Sequence, residues 1–156
     1  SNFSKVSSRY AQYLAGEILP AFDLSLAGGA LYDLNIYNLH FTIDLFGKPK
    51  TAHYYPTKGY NGVDTSGIAV LEYETFHAVC SAAKDSTSPS GFIIQGDQGT
   101  LIGEGSTSTL SKISFVTRLS KIAYSKNEVF ASLKDASISV SLARWAAHLC
   151  SRLISM

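Results

Sequence analysis

A change in hydrophobic period at Gly47 constrains the fold of this chain more than any other feature. Between Gly28-Gly29 and Gly47, apolar residues recur at the spacing of a helical face. Pro49 then forbids continuation of the helix. Short β-rich segments follow: KTAHYYP, SGIAVLEY, TFHAVCSAAK, GFIIQG, GTLIGEG, KISFVTR and KIAYS. The order predicts an α+β fold and not alternating βα units.

Helical periodicity also flanks this region. SSRYAQYLAGE predicts a short helix near the start, and NEVFASLKDA and SVSLARWAAHLCSRLI predict helices at the end. GDQG separates FIIQ from TLIGEG with residues that tolerate positive φ, so those two strands should form a hairpin in a mainly antiparallel sheet. In GIAVLEY and FHAVCSAA, both the odd and the even positions include apolar residues, so both faces of each strand carry apolar side chains. We therefore expect helices on one sheet face and a second copy of the chain, in a homodimer, on the other.

Length and composition limit the class of protein. A chain of 156 residues with 46% apolar residues can bury one core, so residues 1–156 are expected to form a single domain. The formal net charge of +1 is spread along the chain, which argues against nucleic acid as a partner. No apolar run suits a membrane helix, and a cytoplasmic location is expected. Cys80 and Cys150 are expected to be buried free thiols, and no spacing suggests a metal site.

The helix before Gly47 carries a polar row. Spacings of four, three and four residues align one set of side chains along it: Asp33, Tyr37, His40 and Asp44. An apolar stripe on the other side predicts that most of the helix is buried: Tyr32, Ile36, Leu39, Ile43 and Phe46. A polar row on such a helix is either a satisfied structural network or the wall of a site.

Two motif-like fragments are interpreted as coincidences. GEGSTS partly matches a dinucleotide-binding fingerprint, but a β-rich segment follows where that motif requires a helix. YYPTK places Tyr54 and Lys58 at the spacing used by short-chain dehydrogenases. That pair needs a helix, and Pro56 lies between them.

Three segments in order carry a family resemblance. GGALYDLNIYNLHFTIDLFGKPK, GIAVLEYETFHAVCSAA and GFIIQGDQGTLIGEGSTSTL, within about residues 25–115, resemble the C-terminal domain of the glucose–fructose oxidoreductase, inositol dehydrogenase and rhizopine-catabolism (Gfo/Idh/MocA) family. The family helix bears Asp-x-Gly-x-His or Asp-x-Gly-x-Tyr. Here it reads Asp33-Leu34-Asn35-Ile36-Tyr37, the tyrosine form of the glucose–fructose oxidoreductase and dihydrodiol dehydrogenase branches, with Asn35 in place of the usual Gly.

The resemblance implies a two-domain NAD(P)-dependent oxidoreductase that acts on a sugar, polyol or related alcohol or carbonyl. Its Rossmann half, with a catalytic lysine in Glu-Lys-Pro, does not match this sequence, which resembles the second domain alone. NAD or NADP would be bound mainly by the absent half, and this fragment alone is expected to be inactive. The implied fold is an open, mainly antiparallel sheet with helices on one face and a subunit interface on the other. Its first helix would line the substrate cleft.

The chemistry selects candidate residues on that helix. Hydride transfer between nicotinamide and an alcohol requires a proton to leave or join the oxygen. Tyr37 is the candidate acid or base, and Asp33, one turn earlier, could orient a substrate hydroxyl or the lysine. Asn35 and His40 are candidate substrate contacts, although His40 could equally be structural. In the alternative, a non-catalytic binding or assembly module, Asp33 and Tyr37 would be a buried hydrogen-bonded pair.

Overall fold

The computed structural model describes residues 8–97, 99–107, 109–117 and 121–125. Helix α1 spans Ser8–Leu14, 3₁₀ turns span Pro20–Phe22 and Leu24–Leu26, and a π-helical turn, Leu31–Asn35, leads into α2, Ile36–Phe46. The strands are β1 Thr51–Lys58, β2 Asp64–Glu72, β3 His77–Ala83, β4 Gly91–Gln95, β5 Thr100–Ser106, β6 Thr109–Val116 and β7 Lys121–Ser125. The predicted C-terminal helices and Cys150 lie outside the described residues.

The chain divides into two compact units, one ending at Ser88 and the other beginning at Pro89. Both contain an antiparallel sheet, which confirms the predicted α+β class with open antiparallel sheets. All seven predicted strand segments and the short helix near the start are present.

In the first unit, the sheet has the order β1–β2–β3 and carries α2 on one face. Leu39 of α2 packs against a buried cluster of Ala69, Leu71 and Cys80. Pro56 lies in the edge strand β1, where a missing N–H is tolerated. On the opposite face, three large apolar side chains are exposed: Tyr55, Ile68 and Val79. The predicted packing of a helix on one face is confirmed.

The second unit has the order β4–β5–β6–β7. Gln95 pairs with Thr100, so the hairpin predicted around GDQG is confirmed. A side chain at Gly103 would lie 2.2 Å from the ring of Phe92, its partner on β4. The GEG of GEGSTS is therefore a strand whose glycine accommodates an aromatic ring, and the interpretation of that motif as a coincidence is confirmed.

The helix before Gly47 differs from its prediction in two ways. It begins with a π-helical turn, whose wider backbone changes the rotation between the residues before and after it. In addition, the stripe expected to be buried is largely exposed: Tyr32 is 64% and Ile43 43% exposed, and Phe46 is exposed as well. The prediction of a mostly buried helix was wrong. Its end is as expected: Gly47 has φ 78° and its N–H donates to the Ile43 carbonyl at 2.8 Å.

Polar side chains explain the orientation of α2. The Asn35 amide donates to the Cys80 carbonyl at 3.0 Å, and the Asn38 amide donates to the Ser81 carbonyl at 3.1 Å. Thr42 lies 3.3 Å from the Cys80 sulfur. These bonds place the asparagine and threonine side against β3. Leu39 of the apolar stripe therefore still packs against the sheet, whereas Tyr32 and Ile43 are exposed.

Candidate functional site

The start of the π-helical turn is fixed by a carboxylate from the sheet. Asp64, the first residue of β2, accepts the Leu31 N–H at 2.7 Å and the Tyr54 hydroxyl at 2.5 Å. Gly29 has φ +121°, and a side chain there would lie 2.0 Å from the Asp64 carboxylate. Only glycine suits that position. The negative charge at the first helical N–H groups is also favourable for the helix dipole.

Tyr54 belongs to this structural contact. Burial, together with its hydrogen bond to Asp64, raises the pKa of Tyr54 well above its ordinary value. Its hydroxyl therefore stays a donor to Asp64 at neutral pH. Tyr54 and Lys58 lie in strand β1 and not in a helix, which confirms that YYPTK is not a dehydrogenase pair.

A nearly buried lysine contacts the first residue of the polar row. Lys84 directly follows β3, and its ammonium contacts the Asp33 carboxylate. The Lys84 side chain is 7% exposed, whereas the Asp33 side chain is 47% exposed. The ammonium also lies 5.1 Å from the centroid of the Phe22 ring, within the range of a cation–π interaction. Lys84 thus holds the Asp33 carboxylate, while about half of the Asp33 side chain remains exposed.

Asp33 opens onto a pocket of about 530 Å³, a volume typical of small-molecule sites. The lining comes from α1, the 3₁₀ turns and the π-helical turn: Arg9, Leu19, Pro20, Ala21, Leu26, Ala27, Gly28 and Asp33. Arg9 and Asp33 are the two charged residues of this lining, and their charges are opposite. A hydrogen-bond donor and an acceptor therefore face the same small space.

The other predicted site residues fall in different places. Tyr37 is 54% exposed on the turn after Asp33 and is not among the pocket-lining residues, and His40 is exposed. Asn35 is 0% exposed, and its oxygen accepts from Asn38 at 2.9 Å. In this conformation Asn35 cannot touch a substrate. Asp33 and Tyr37 are not a buried hydrogen-bonded pair, so that form of the non-catalytic alternative is wrong.

Sequence reasoning missed Arg9 and Lys84. The sequence places Arg9 only in a short helix near the start and Lys84 only at the end of a strand. Neither residue has a local signal, because Arg9 lines the pocket with residues of a later segment and Lys84 pairs with Asp33, 51 positions away. Cys80 is a buried free thiol, as the sequence predicts. Burial raises its pKa, which suits a structural role.

Within the described ranges, no helix is long and apolar enough to cross a membrane. The same part of the chain contains no group of three or more metal-ligating side chains.

The fold is that of an α+β domain, and a pocket lies beside its first long helix. The chain belongs to the GFO/IDH/MocA C-terminal domain family, whose model matches residues 4–102. This confirms the resemblance found in the sequence.

Two relatives extend the comparison. The chain is 36% identical over 105 residues to scyllo-inositol 2-dehydrogenase (NADP(+)) IolU of Bacillus subtilis, covering 65% of this chain and 31% of that protein. It is 34% identical over 121 residues to the uncharacterized oxidoreductase YgjR of Escherichia coli, covering 78% of this chain and 37% of that protein. The chain thus spans about a third of the length of these relatives.

Proposed function

We propose that this chain is the substrate-binding and oligomerisation domain of an NAD(P)-dependent oxidoreductase that acts on a sugar, polyol or related alcohol or carbonyl. One observation carries the proposal: a half-exposed carboxylate, Asp33, lines a pocket of small-molecule size and is anchored by a nearly buried lysine. Membership of the family supports it, because both relatives are named as oxidoreductases. The substrate-binding unit would be the whole of residues 1–156.

The start of the long helix does not fit the cofactor's phosphates. In dinucleotide-binding domains the pyrophosphate occupies the N–H groups at a helix start after a glycine turn. Here the Asp64 carboxylate takes the Leu31 N–H, so a phosphate would meet an acceptor of its own charge. This supports the assignment of NAD or NADP binding to a separate half of the full-length protein.

Tyr37 and Asp33 have distinct proposed roles in the reaction. The nicotinamide cofactor, when bound by the full-length protein, supplies the hydride acceptor or donor. Tyr37 holds or releases the proton of the reacting oxygen, a role for which its exposed hydroxyl is available. Asp33 accepts a hydrogen bond from a substrate hydroxyl and fixes its orientation. His40 would add a second polar contact further along the exposed row.

The pocket favours a hydroxyl-rich substrate. Asp33 supplies an acceptor and Arg9 supplies donors, and each hydroxyl group both donates and accepts. The relative from Bacillus subtilis is named for scyllo-inositol and NADP. We therefore take a cyclic polyol and NADP as the first pair to test. We further propose a cytoplasmic location and a homodimer through the sheet face that carries Tyr55, Ile68 and Val79.

The experiment is a reduction assay with the full-length protein. Purified enzyme is mixed with NADP or NAD and with a panel that includes scyllo-inositol, myo-inositol and glucose, and cofactor absorbance is followed. We expect polyol-dependent reduction that Asp33→Asn lowers sharply. A full-length protein that neither reduces cofactor nor shows a thermal shift with any of these compounds would instead favour the non-catalytic binding or assembly module.

A further inference from the structure

The contact between Lys84 and Asp33 has a function beyond packing. We infer that Lys84 is a positioning residue, which holds the Asp33 carboxylate in the orientation that a substrate requires. The inference rests on the proposed function, because it acts through Asp33. It assigns a role to a lysine of this domain that is separate from the catalytic lysine expected in the Rossmann half.

Burial prevents Lys84 from acting on a substrate directly. Its side chain is 7% exposed, and its ammonium contacts the Asp33 carboxylate and lies 5.1 Å from the centroid of the Phe22 ring. The backbone is also fixed, because the Lys84 N–H donates to the Thr65 carbonyl at 2.7 Å. Phe22 itself is 2% exposed in a cluster with Tyr13 and Val63. The lysine therefore extends from a rigid base toward a single carboxylate.

The charge geometry leaves one face of Asp33 available. The ammonium contacts the Oδ2 oxygen, and among the described residues Lys84 is the one hydrogen-bond and ion-pair partner of this carboxylate. A carboxylate has several acceptor directions, so one bond to Lys84 leaves the Oδ1 oxygen for a substrate hydroxyl. Without that bond, the Asp33 side chain would sample other rotamers. Removal of the Lys84 contact would therefore change the orientation of the Asp33 carboxylate but not its presence or charge.

The backbone on either side of Asp33 is held independently of Lys84. Asp64 binds the Leu31 N–H before it, and Asn35 binds the Cys80 carbonyl after it. The π-helical turn should therefore keep its shape when Lys84 is replaced, because these two bonds remain. This separates positioning of the side chain from folding of the helix.

A double-mutant cycle in the full-length enzyme tests the inference. The variants are Lys84→Met, which keeps the stem and removes the charge, Asp33→Asn, and the two combined. We expect Lys84→Met to lower kcat/KM by about 10- to 100-fold, as misplacement of an orienting group does. In the Asp33→Asn background the same change should have almost no further effect, because contacting residues are not additive.

Two further variants complete the design. Lys84→Arg keeps the charge and should recover part of the activity, whereas loss of a purely packing lysine would not be recovered by charge. Lys50→Met is the matched control, because Lys50 pairs with Glu74 at 3.2 Å on the surface, far from Asp33 in sequence and outside the pocket lining. Activity is expressed per folded molecule from circular dichroism of each variant.

The outcomes are distinct. The positioning role would be overturned if Lys84→Met lowered kcat/KM by the same factor in the wild-type and the Asp33→Asn enzymes, or if it left kcat/KM at the wild-type value. In either case the effect of Asp33→Asn alone would still test the proposed function. Wild-type kcat/KM for Asp33→Asn would overturn both, because Lys84 could then not act through that carboxylate. A large fall for Lys84→Met that vanishes in the Asp33→Asn background supports the inference.

Discussion

The two units hold their sheets in different ways. In the first unit, three polar contacts join the sheet region to the helix that carries the polar row. The Asp64 carboxylate accepts the Leu31 N–H, the Asn35 amide donates to the Cys80 carbonyl, and the Lys84 ammonium contacts Asp33. In the second unit, the strands follow one another as hairpins with an apolar layer, where Phe92 covers Gly103 and Leu101 and Ile113 are buried. The first arrangement holds the turn that carries Asp33, and Asp33 lines a pocket. The second needs only strand pairing and apolar contact.

Ion pairs show the same difference. Lys84 and Asp33 pair with one side chain almost buried, whereas Lys112 and Glu104 pair across β5 and β6 with both side chains exposed, at 2.9 Å. A pair in water gains little because solvent screens it and the long side chains lose freedom. The first pair can therefore fix a geometry that the second cannot.

The largest effect is expected from Tyr37→Phe in the full-length enzyme. Removal of the hydroxyl keeps the ring, which is 54% exposed, so folding should change little. The turnover rate should fall by about 10²- to 10⁴-fold, the usual contribution of a general acid or base. Steady-state kinetics and thermal melts measure both quantities. Tyr60→Phe, at a ring with similar exposure outside the site, is the control and should keep its rate. Full activity in Tyr37→Phe would show that the Tyr37 hydroxyl takes no part in the reaction.

Replacement of glycine compares the two units directly. Gly29→Ala should destabilise the chain by more than about 3 kcal/mol, because it combines a positive φ with displacement of the Asp64 carboxylate. Gly103→Ala should cost only about 1–3 kcal/mol, since the Phe92 ring can shift. Urea denaturation of the 156-residue chain gives both values. Equal losses of stability would show that the contact with the Asp64 carboxylate and the packing of the Phe92 ring tolerate an added side chain equally poorly.

Asp33→Asn should destabilise the chain by about 1–3 kcal/mol, because it leaves a nearly buried ammonium without its carboxylate. Lys84→Met should cost less, since Asp33 is half exposed and water can replace the lysine. Adding Lys84→Met to Asp33→Asn should therefore restore stability. A double variant that unfolds at lower urea than Asp33→Asn would contradict this order.

Tyr54 predicts a loss of stability at alkaline pH. Its pKa is raised in the folded state from an ordinary value of 10.0, by burial first and by Asp64 second. Above about pH 10 the unfolded chain releases this proton and the folded chain retains it, so stability is full below that pH and falls as pH rises. Burial also raises the pKa of Tyr10 and Tyr73, which act in the same direction. Tyr54→Phe should reduce the slope between pH 9 and pH 11 in urea titrations, and an unchanged slope would place the effect elsewhere.

The smallest effect is expected in the second unit. Lys112→Met should change stability by less than about 1 kcal/mol, because its pair with Glu104 is exposed. High salt should reduce this small difference between the variant and the wild type further, because it screens exposed charges. A loss as large as that of Asp33→Asn would mean that exposure does not separate the two ion pairs.

The sequence predicts well what is local. Strand segments and the hairpin around GDQG follow from alternation and turn residues, and the end of α2 follows from Gly47. Of the predicted site residues, Asp33 lines the pocket, and its role in substrate binding stays a prediction.

Contacts between distant residues could not be predicted in the same way. Lys84 and Asp33 are separated by 51 positions, and Asp64 and Leu31 by 33. The apolar stripe predicted too much burial, because the polar side chains of Asn35 and Thr42 bind β3 and leave Tyr32 and Ile43 exposed. The spacing of apolar residues does not show which hydrogen bonds the side chains of a helix will make.

The central claim is that Asp33 and Tyr37 contact the substrate of a nicotinamide-dependent enzyme. A crystal structure of the full-length protein with NADP and a cyclic polyol tests it most directly. We expect one substrate hydroxyl within about 2.6–3.2 Å of the Tyr37 hydroxyl and another at that distance from the Asp33 carboxylate, with Lys84 still on its Oδ2 oxygen. A polyol bound beside the nicotinamide with both side chains in contact only with water would contradict the account.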